Sequence, residues 1–198
     1  YQTAYLKCHY PKEFMAALLT SVLDNTDKVI EYIGECGKLG IRVLPPDVNV
    51  SGGGFTADEN GQIRFGLNAV KNVGRNLIEN VVRERRNKPY TSLYDFCKRM
   101  HGNELNRRAV ECLIKAGAFD RLGNNRHSHV EAVEGILKSI ETDTRGNLDG
   151  QLDLFSVMSG GEQDAAQEDR YEIRQLPEYS HAELLQQEKE VSGLYLSG

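Results

Sequence analysis

Cysteine is scarce in this chain of 198 residues. The four cysteines stand at positions 8, 36, 97 and 112, irregularly spaced and without a C-x-x-C pair. This spacing fits neither a disulfide framework nor a four-ligand zinc site. We therefore expect reduced thiols buried as small hydrophobes, no metal site and a cytoplasmic location.

Long apolar runs are also missing. No run approaches the roughly 20 residues that a membrane-spanning helix needs, so the sequence predicts no membrane partner. The first five residues lack the basic start and the apolar core of a signal peptide. The chain does not begin with methionine, and we interpret it as a piece of a longer protein.

The usual groupings of catalytic residues are absent from the middle of the sequence. It contains no Ser/His/Asp or Cys/His set, no Walker-type loop and no clustered carboxylates for two-metal chemistry. His127 and His129 stand two apart among polar residues, and we expect both to face solvent. The sequence predicts a chain without catalytic residues or a cofactor of its own, which binds a partner without reacting.

Charge is divided unevenly along the chain. The net charge is only -5, but residues 61–130 carry 14 basic and 6 acidic side chains, whereas residues 141–198 carry 4 basic and 13 acidic ones. A basic middle between acidic flanks indicates that the middle faces a polyanion. The alternative is an ordinary solvated basic face.

Apolar spacing predicts mostly helices. We expect them at about residues 11–22, 26–38, 68–71, 75–86, 92–97, 106–115, 126–140 and 182–190. The Asn60-Gly61 dipeptide predicts a β-hairpin turn between residues 55–56 and 62–65. Residues 41–44 are expected to be extended, and residues 191–196 to form a strand.

A glycine-bearing loop between two predicted helices suggests a phosphate site. Gly74 lets the backbone approach a ligand closely, and the free N–H groups at the start of the next helix attract anions. The candidate DNA-binding residues of this first hairpin are Lys71, Asn72, Val73, Gly74, Arg75 and Asn76. The segment resembles the helix-hairpin-helix motif, with Asn72 in place of the usual first glycine; asparagine tolerates left-handed backbone geometry.

A second hairpin candidate follows some 40 residues later in the same basic segment. Its candidate DNA-binding residues are Lys115, Ala116, Gly117, Ala118, Arg121 and Arg126. Its glycine pattern is poorer than that of the first hairpin. The alternative is that the glycines of both hairpins are helix C-caps in an ordinary bundle.

One apolar island interrupts the acidic C-terminal third. It consists of Gln151, Leu152, Asp153, Leu154 and Phe155, between stretches too polar to form a core. Exposed leucine and phenylalanine side chains on a tether suit a peptide ligand that enters a partner's pocket. The alternative is that the island packs back onto its own domain.

These segments together resemble the C-family replicative DNA polymerases of bacteria, in the stretch from the end of the fingers through the clamp-binding domain. The island agrees at all five positions with the pentapeptide by which that family binds the sliding clamp. The other segments that carry the resemblance recur in family order, at residues 10–19, 43–49, 65–67, 70–74, 113–120, 188–190 and 193–198.

The resemblance implies a fold class and a domain order. The expected fold is mainly α, a tandem helix-hairpin-helix domain with a small β-hairpin, followed by a largely extended acidic linker that carries a peptide motif. The expected divisions are a helical segment over residues 1–50, the DNA-binding domain over 51–140, the linker over 141–180, and a helix with the start of a following domain over 181–198.

The resemblance also implies a function. The parent protein would be a Mg²⁺-dependent DNA-directed DNA polymerase whose palm aspartates are absent here, so this chain alone would be inactive. It would hold the backbone of duplex DNA at the two hairpins and dock on the sliding clamp through residues 151–155, with other replicase subunits as further partners. The alternatives are a free-standing helix-hairpin-helix DNA-repair module and a protein-interaction scaffold.

Overall fold

The computed structural model describes residues 2–148 and 171–197. In this part of the chain the fold is mainly helical, with one small sheet. The α-helices are α1 (Gln2–His9), α2 (Pro11–Ser21), α3 (Thr26–Lys38), α4 (Arg75–Glu84), α5 (Leu93–Met100), α6 (Arg107–Lys115), α7 (Arg126–Leu148) and α8 (His181–Ser192). The apolar pentapeptide at residues 151–155 lies outside the described residues.

Local sequence explains where several helices begin. Pro11 occupies the first turn of α2, where its missing N–H costs no hydrogen bond. Asn25 caps α3, Ser92 caps α5 and Asn106 caps α6, each by accepting a hydrogen bond from a backbone N–H three residues on. The predicted helix at residues 26–38 is confirmed.

The sheet has three short strands, β1 (Val43–Leu44), β2 (Thr56–Ala57) and β3 (Ile63–Arg64). The central strand β3 pairs antiparallel with β2 and parallel with β1. Gly61 adopts a left-handed φ of 79° in the turn between β2 and β3, which confirms the predicted hairpin.

The core lies among α4, α5, α6 and α7. Leu77 and Leu113 are fully buried there. Phe96 makes edge-to-face contacts at 5.0 Å with both Tyr90 and Phe119, which joins α5 to the segments on either side of it. This core fixes the loop before α4 and the loop after α6 on one folded unit.

Two expectations about the C-terminal third were wrong. Helix α7 continues to Leu148, so residues 141–148 are helical rather than an extended linker. Residues 191–196 form no strand, because α8 runs to Ser192 and ends at Gly193 with a left-handed φ of 81°. Helix α8 also packs against α6 and the first hairpin, where the amide of Lys71 donates to the carbonyl of Val191 at 2.8 Å.

The sequence analysis also missed α1 (Gln2–His9), and the short helix expected at residues 68–71 is a 3₁₀ turn at Leu67–Ala69. None of the helices in the described ranges is long and apolar enough to cross a membrane.

Candidate nucleic-acid interface

The first hairpin is a tight turn between the 3₁₀ turn at Leu67–Ala69 and α4. Asn72 has a φ of 61°, so the residue that replaces the usual glycine does adopt the left-handed conformation. Gly74 is extended, with φ -72° and ψ 144°, and α4 starts at the next residue. The chain therefore reverses direction over four residues and leads directly into a helix N-terminus.

The start of α4 is open. Gly74 has no side chain, and within the described residues no side chain caps this helix start. Helices α3, α5, α6 and α8 differ, because Asn25, Ser92, Asn106 and Ser180 each accept a bond from an amide of the first turn. The N–H groups and the positive end of the helix dipole at α4 can therefore bind an external anion.

The residues of the first hairpin lie together at the surface. Lys71, Asn72, Gly74, Arg75 and Asn76 are exposed. Val73 is half-buried and packs against the core, which anchors the turn. The Asn72 side chain donates to the sulfur of Cys112 on α6 at 3.5 Å. The structure thus brings all six predicted residues of this hairpin to one site.

The cations of this hairpin have partners within the chain. Nη2 of Arg75 lies 2.6 and 2.8 Å from the two carboxylate oxygens of Asp24, and these hydrogen bonds raise the pKa of Arg75 above its ordinary value. Asn76 donates to Glu104 at 3.0 Å. Nζ of Lys71 donates to the carbonyl of Glu190 at 3.0 Å. Sequence reasoning missed these acidic neighbours, because none lies near the hairpin along the chain.

The second hairpin is closed. Gly117 has a φ of 87°, its amide donates to Ile114, and the amide of Ala118 donates to Leu113. This pair of bonds is a Schellman motif that ends α6. Ala116 and Ala118 are buried, and α7 begins only at Arg126. The helix C-cap interpretation is therefore correct for the second hairpin, which presents no helix start beside its turn.

The predicted phosphate contact by Arg126 is wrong. The Arg126 side chain is only 6% exposed and pairs with Asp120 at 2.7 Å and with Glu188 at 2.9 Å. Burial alone would lower the pKa of Arg126, but its hydrogen bonds to the two carboxylates outweigh burial and raise it. A cation held in this way stabilises the fold and is not available to DNA.

The two remaining cations of the second hairpin lie nearer the surface. Nζ of Lys115 is 3.4 Å from the carboxylate of Glu190, and Nε of Arg121 is 3.4 Å from that of Asp47. Arg121 is exposed and also lines a cleft of about 460 Å³ between this hairpin and the small sheet. DNA binding by Lys115 and Arg121 stays a prediction.

The expectation that both histidines face solvent was wrong. His129 is 1% exposed and packs edge-to-face against Phe119, and burial lowers its pKa. His127 is half-buried and stacks on Tyr179 at 4.4 Å. Both lie in the first turn of α7, where Tyr179 covers His127 and Phe119 packs against His129.

Within residues 2–148 and 171–197, no three His, Cys, Asp or Glu side chains are placed to hold a metal ion. Cys36, Cys97 and Cys112 are buried, as expected, whereas Cys8 is exposed. Burial raises the pKa of Cys97 to about 12 and contributes most to raising that of Cys36 to about 11, so these two thiols stay protonated near neutral pH.

The sequence around the first hairpin matches a known motif. A sequence model described as the helix-hairpin-helix motif matches residues 40–129. The matched range contains both hairpins and reaches the first turn of α7. The expected fold class, mainly helical with a helix-hairpin-helix domain and a small sheet, is confirmed.

Curated relatives are similar to the chain along its whole length. The chain is 41% identical over 200 residues to DNA polymerase III subunit alpha of Vibrio cholerae, 42% over 199 residues to that of Xylella fastidiosa, and 39% over 200 residues to that of Escherichia coli K12. Each match covers 100% of this chain but only 16% or 17% of the relative.

The chain is therefore homologous, along its whole length, to a segment of DNA polymerase III subunit alpha. The family resemblance stated from the sequence is confirmed. The chain spans about a sixth of the length of these curated relatives. These relatives favour the polymerase interpretation over a free-standing repair module.

Proposed function

We propose that this chain binds the backbone of duplex DNA, and that the first hairpin makes the contact. The observation that carries the proposal is the open start of α4, which follows a left-handed turn inside the region matched by the helix-hairpin-helix motif. A backbone phosphate would accept hydrogen bonds from the free amides after Gly74. Lys71 and Arg75 would add point charges on either side.

Such a contact would be independent of base sequence. Backbone amides and flexible cations at a helix N-terminus bind phosphate oxygens, whereas base recognition needs side chains that reach the groove edges. The hairpin turn projects only short side chains between its two cations. The contact would therefore hold duplex DNA of any sequence.

The parent protein proposed here is the alpha subunit of a bacterial replicative DNA polymerase, which carries out DNA-templated DNA synthesis with Mg²⁺. The support is the name shared by the relatives that match the whole chain. The described residues hold no cluster suited to Mg²⁺, so no step of the synthesis is assigned to them. Their part is to hold the duplex.

A second contact would tether the parent to the bacterial sliding clamp. Residues Gln151, Leu152, Asp153, Leu154 and Phe155 match the family pentapeptide at every position. A tether converts rebinding into an intramolecular event at high effective concentration, so a weak contact suffices for processive synthesis. Other replicase subunits are further proposed partners, in the cytoplasm.

The DNA contact is tested by fluorescence anisotropy with a short labelled duplex at several salt concentrations. If about 4–5 phosphates are neutralised, log K should fall with log[salt] at a slope near -4. Several unrelated duplex sequences should bind equally. A flat salt response, or a strong preference for one sequence, would contradict the proposal.

The clamp contact is tested by titrating the chain into a purified bacterial sliding clamp. The variant Leu154→Ala/Phe155→Ala should lose the binding of the original chain, because those side chains would fill the clamp's pocket. The matched control Val157→Ala/Met158→Ala alters two apolar side chains of the same segment and should bind normally. Equal binding by the two variants would contradict the assignment.

A further inference from the structure

The phosphate-binding side chains of the first hairpin are bound by acidic residues from three separate elements. Asp24 lies in the turn between α2 and α3, Glu104 in the loop between α5 and α6, and Glu190 near the end of α8. We call these three residues the acidic collar. The chain segments that carry them are distant in sequence and converge on one turn of about six residues.

Asp24 engages the arginine of the hairpin. Both of its carboxylate oxygens lie within 2.8 Å of Nη2 of Arg75, although the side chains are 86% and 65% exposed. This charge-assisted pair occupies a guanidinium that a phosphate would also bind. Arg75 must exchange one anion for the other when DNA arrives.

Glu104 lies at the open end of α4. One carboxylate oxygen accepts a hydrogen bond from Asn76 at 3.0 Å, and the other would lie 3.7 Å from a Cβ built on Gly74. Glu104 has a φ of 59°, a conformation that is unfavourable for glutamate. The loop thus holds a carboxylate beside the positive end of the helix dipole, where a phosphate would be bound.

Glu190 joins the cations of the two hairpins. Its carbonyl accepts from Nζ of Lys71 at 3.0 Å, and its carboxylate lies 3.4 Å from Nζ of Lys115. The negative charge of Glu190 therefore stands beside Lys115, while its main chain holds the Lys71 ammonium nearby. That charge reduces the local positive potential that attracts a polyanion.

We propose that the acidic collar sets the strength of the DNA contact by standing in for phosphate in the DNA-free state. This inference rests on the proposed function of the hairpin. Asp24 competes with phosphate for Arg75, and the carboxylates of Glu104 and Glu190 lower the positive potential beside the hairpin, so DNA binds against all three negative charges. The lower affinity for DNA that results would let a duplex move past the hairpin as synthesis proceeds.

The test compares the whole 198-residue chain with the triple variant Asp24→Asn/Glu104→Gln/Glu190→Gln. Each change removes a charge and keeps the side-chain shape at an exposed position, so folding is preserved, as thermal unfolding would verify. The control Glu59→Gln/Glu141→Gln/Asp143→Asn removes the same net charge from other exposed surfaces. Binding of a short fluorescein-labelled duplex is measured across a salt series.

The collar variant should bind about tenfold more tightly than the control at low salt, because no carboxylate then competes with phosphate at the hairpin. Equal affinity of collar variant and control, with the original chain binding DNA, would overturn the collar but leave the DNA contact standing. No binding by any of the three proteins would overturn the proposed DNA contact itself.

Discussion

The two hairpins begin alike and end differently. Asn72 and Gly117 both adopt left-handed backbone conformations, at φ 61° and φ 87°, two or three residues after the end of a helical segment. After Asn72 the chain enters α4 within three residues. After Gly117 it takes eight residues to reach α7, and the amides of Gly117 and Ala118 are bonded within the cap of α6.

This difference separates the proposed binding element from a structural one. The first hairpin leaves a helix start without a side-chain cap and places cations at the surface around it. The second hairpin directs its arginine, Arg126, into a buried pair with Glu188. A glycine turn in a basic segment therefore identifies a phosphate site only when a helix starts directly after the turn.

The largest effect should come from breaking the buried pair on the second-hairpin side. Glu188 is fully buried and accepts bonds from Arg126 and from the amides of Leu196 and Ser197. The substitution Glu188→Ala removes one of the two carboxylate partners of the buried Arg126 and leaves the amides of Leu196 and Ser197 without their acceptor. It should lower the free energy of unfolding by about 3–5 kcal/mol, measured by urea denaturation.

The control for that prediction is Glu190→Ala in the same helix. The Glu190 side chain is 64% exposed, and its surface pair with Lys115 should contribute no more than about 1 kcal/mol. Similar losses of stability from the two substitutions would mean that the second hairpin is not fixed by a buried ion pair.

The next effect contrasts the two left-handed residues. A Cβ built on Gly117 would lie 2.5 Å from Nη2 of Arg126 and 2.9 Å from the carboxylate of Asp120. Gly117→Ala therefore adds a clash to the backbone strain and should cost about 2–3 kcal/mol of unfolding free energy. Thermal unfolding measures the change.

At the first hairpin the matched substitution is Asn72→Ala. It adds left-handed strain and loses the weak bond to Cys112, and it should cost about 1 kcal/mol, while Asn72→Gly, which carries no such strain, should be close to neutral. If Asn72→Ala destabilised the chain as much as Gly117→Ala does, the first turn would be as tightly packed as the second. The distinction between an open and a closed hairpin would then fail.

The sequence predicted the first hairpin well because its determinants are local. Adjacent residues determine the short loop, the position of the glycine and the start of the helix. The left-handed conformation of Asn72 is expected because asparagine tolerates positive φ better than most residues do. The predicted helix at residues 26–38 and the β2–β3 turn depend on equally local signals, such as Asn60-Gly61.

The sequence could not predict the second hairpin, because long-range contacts decide its structure. From the sequence alone, Arg126 is expected to be an exposed cation. Its partner Glu188 lies 62 residues further along the chain and approaches it only in the folded protein. His129 reads as exposed because its neighbours in sequence are polar. The acidic collar could not be predicted either, because it approaches the first hairpin only in the folded chain. Its members are Asp24, Glu104 and Glu190.

The smallest effect expected is a pH dependence of stability from the buried histidine beside the second hairpin. Burial holds the pKa of His129 below its ordinary value of 6.5. Below that pH the unfolded chain therefore binds a proton that the folded chain does not, and the free energy of unfolding falls as the pH falls. One such group contributes at most about 1.4 kcal/mol per pH unit.

The variant His129→Leu cannot titrate and should show a flatter dependence of the unfolding midpoint on pH between about 5 and 6.5. The substitution His127→Gln serves as the control, because it removes the neighbouring, less buried histidine. Identical pH profiles for the original chain and His129→Leu would show that His129 is not held neutral by burial.

The most direct test of the account compares two double variants that remove equal charge from the two hairpins, Lys71→Gln/Arg75→Gln and Lys115→Gln/Arg121→Gln. Duplex binding is measured over a salt series. The first variant should bind about tenfold more weakly than the original chain at low salt, with a salt slope smaller by about 2. The second variant should show a much smaller change in both affinity and salt slope. Equal losses from the two variants, or a larger loss from the second, would contradict the claim that the first hairpin is the one that holds DNA.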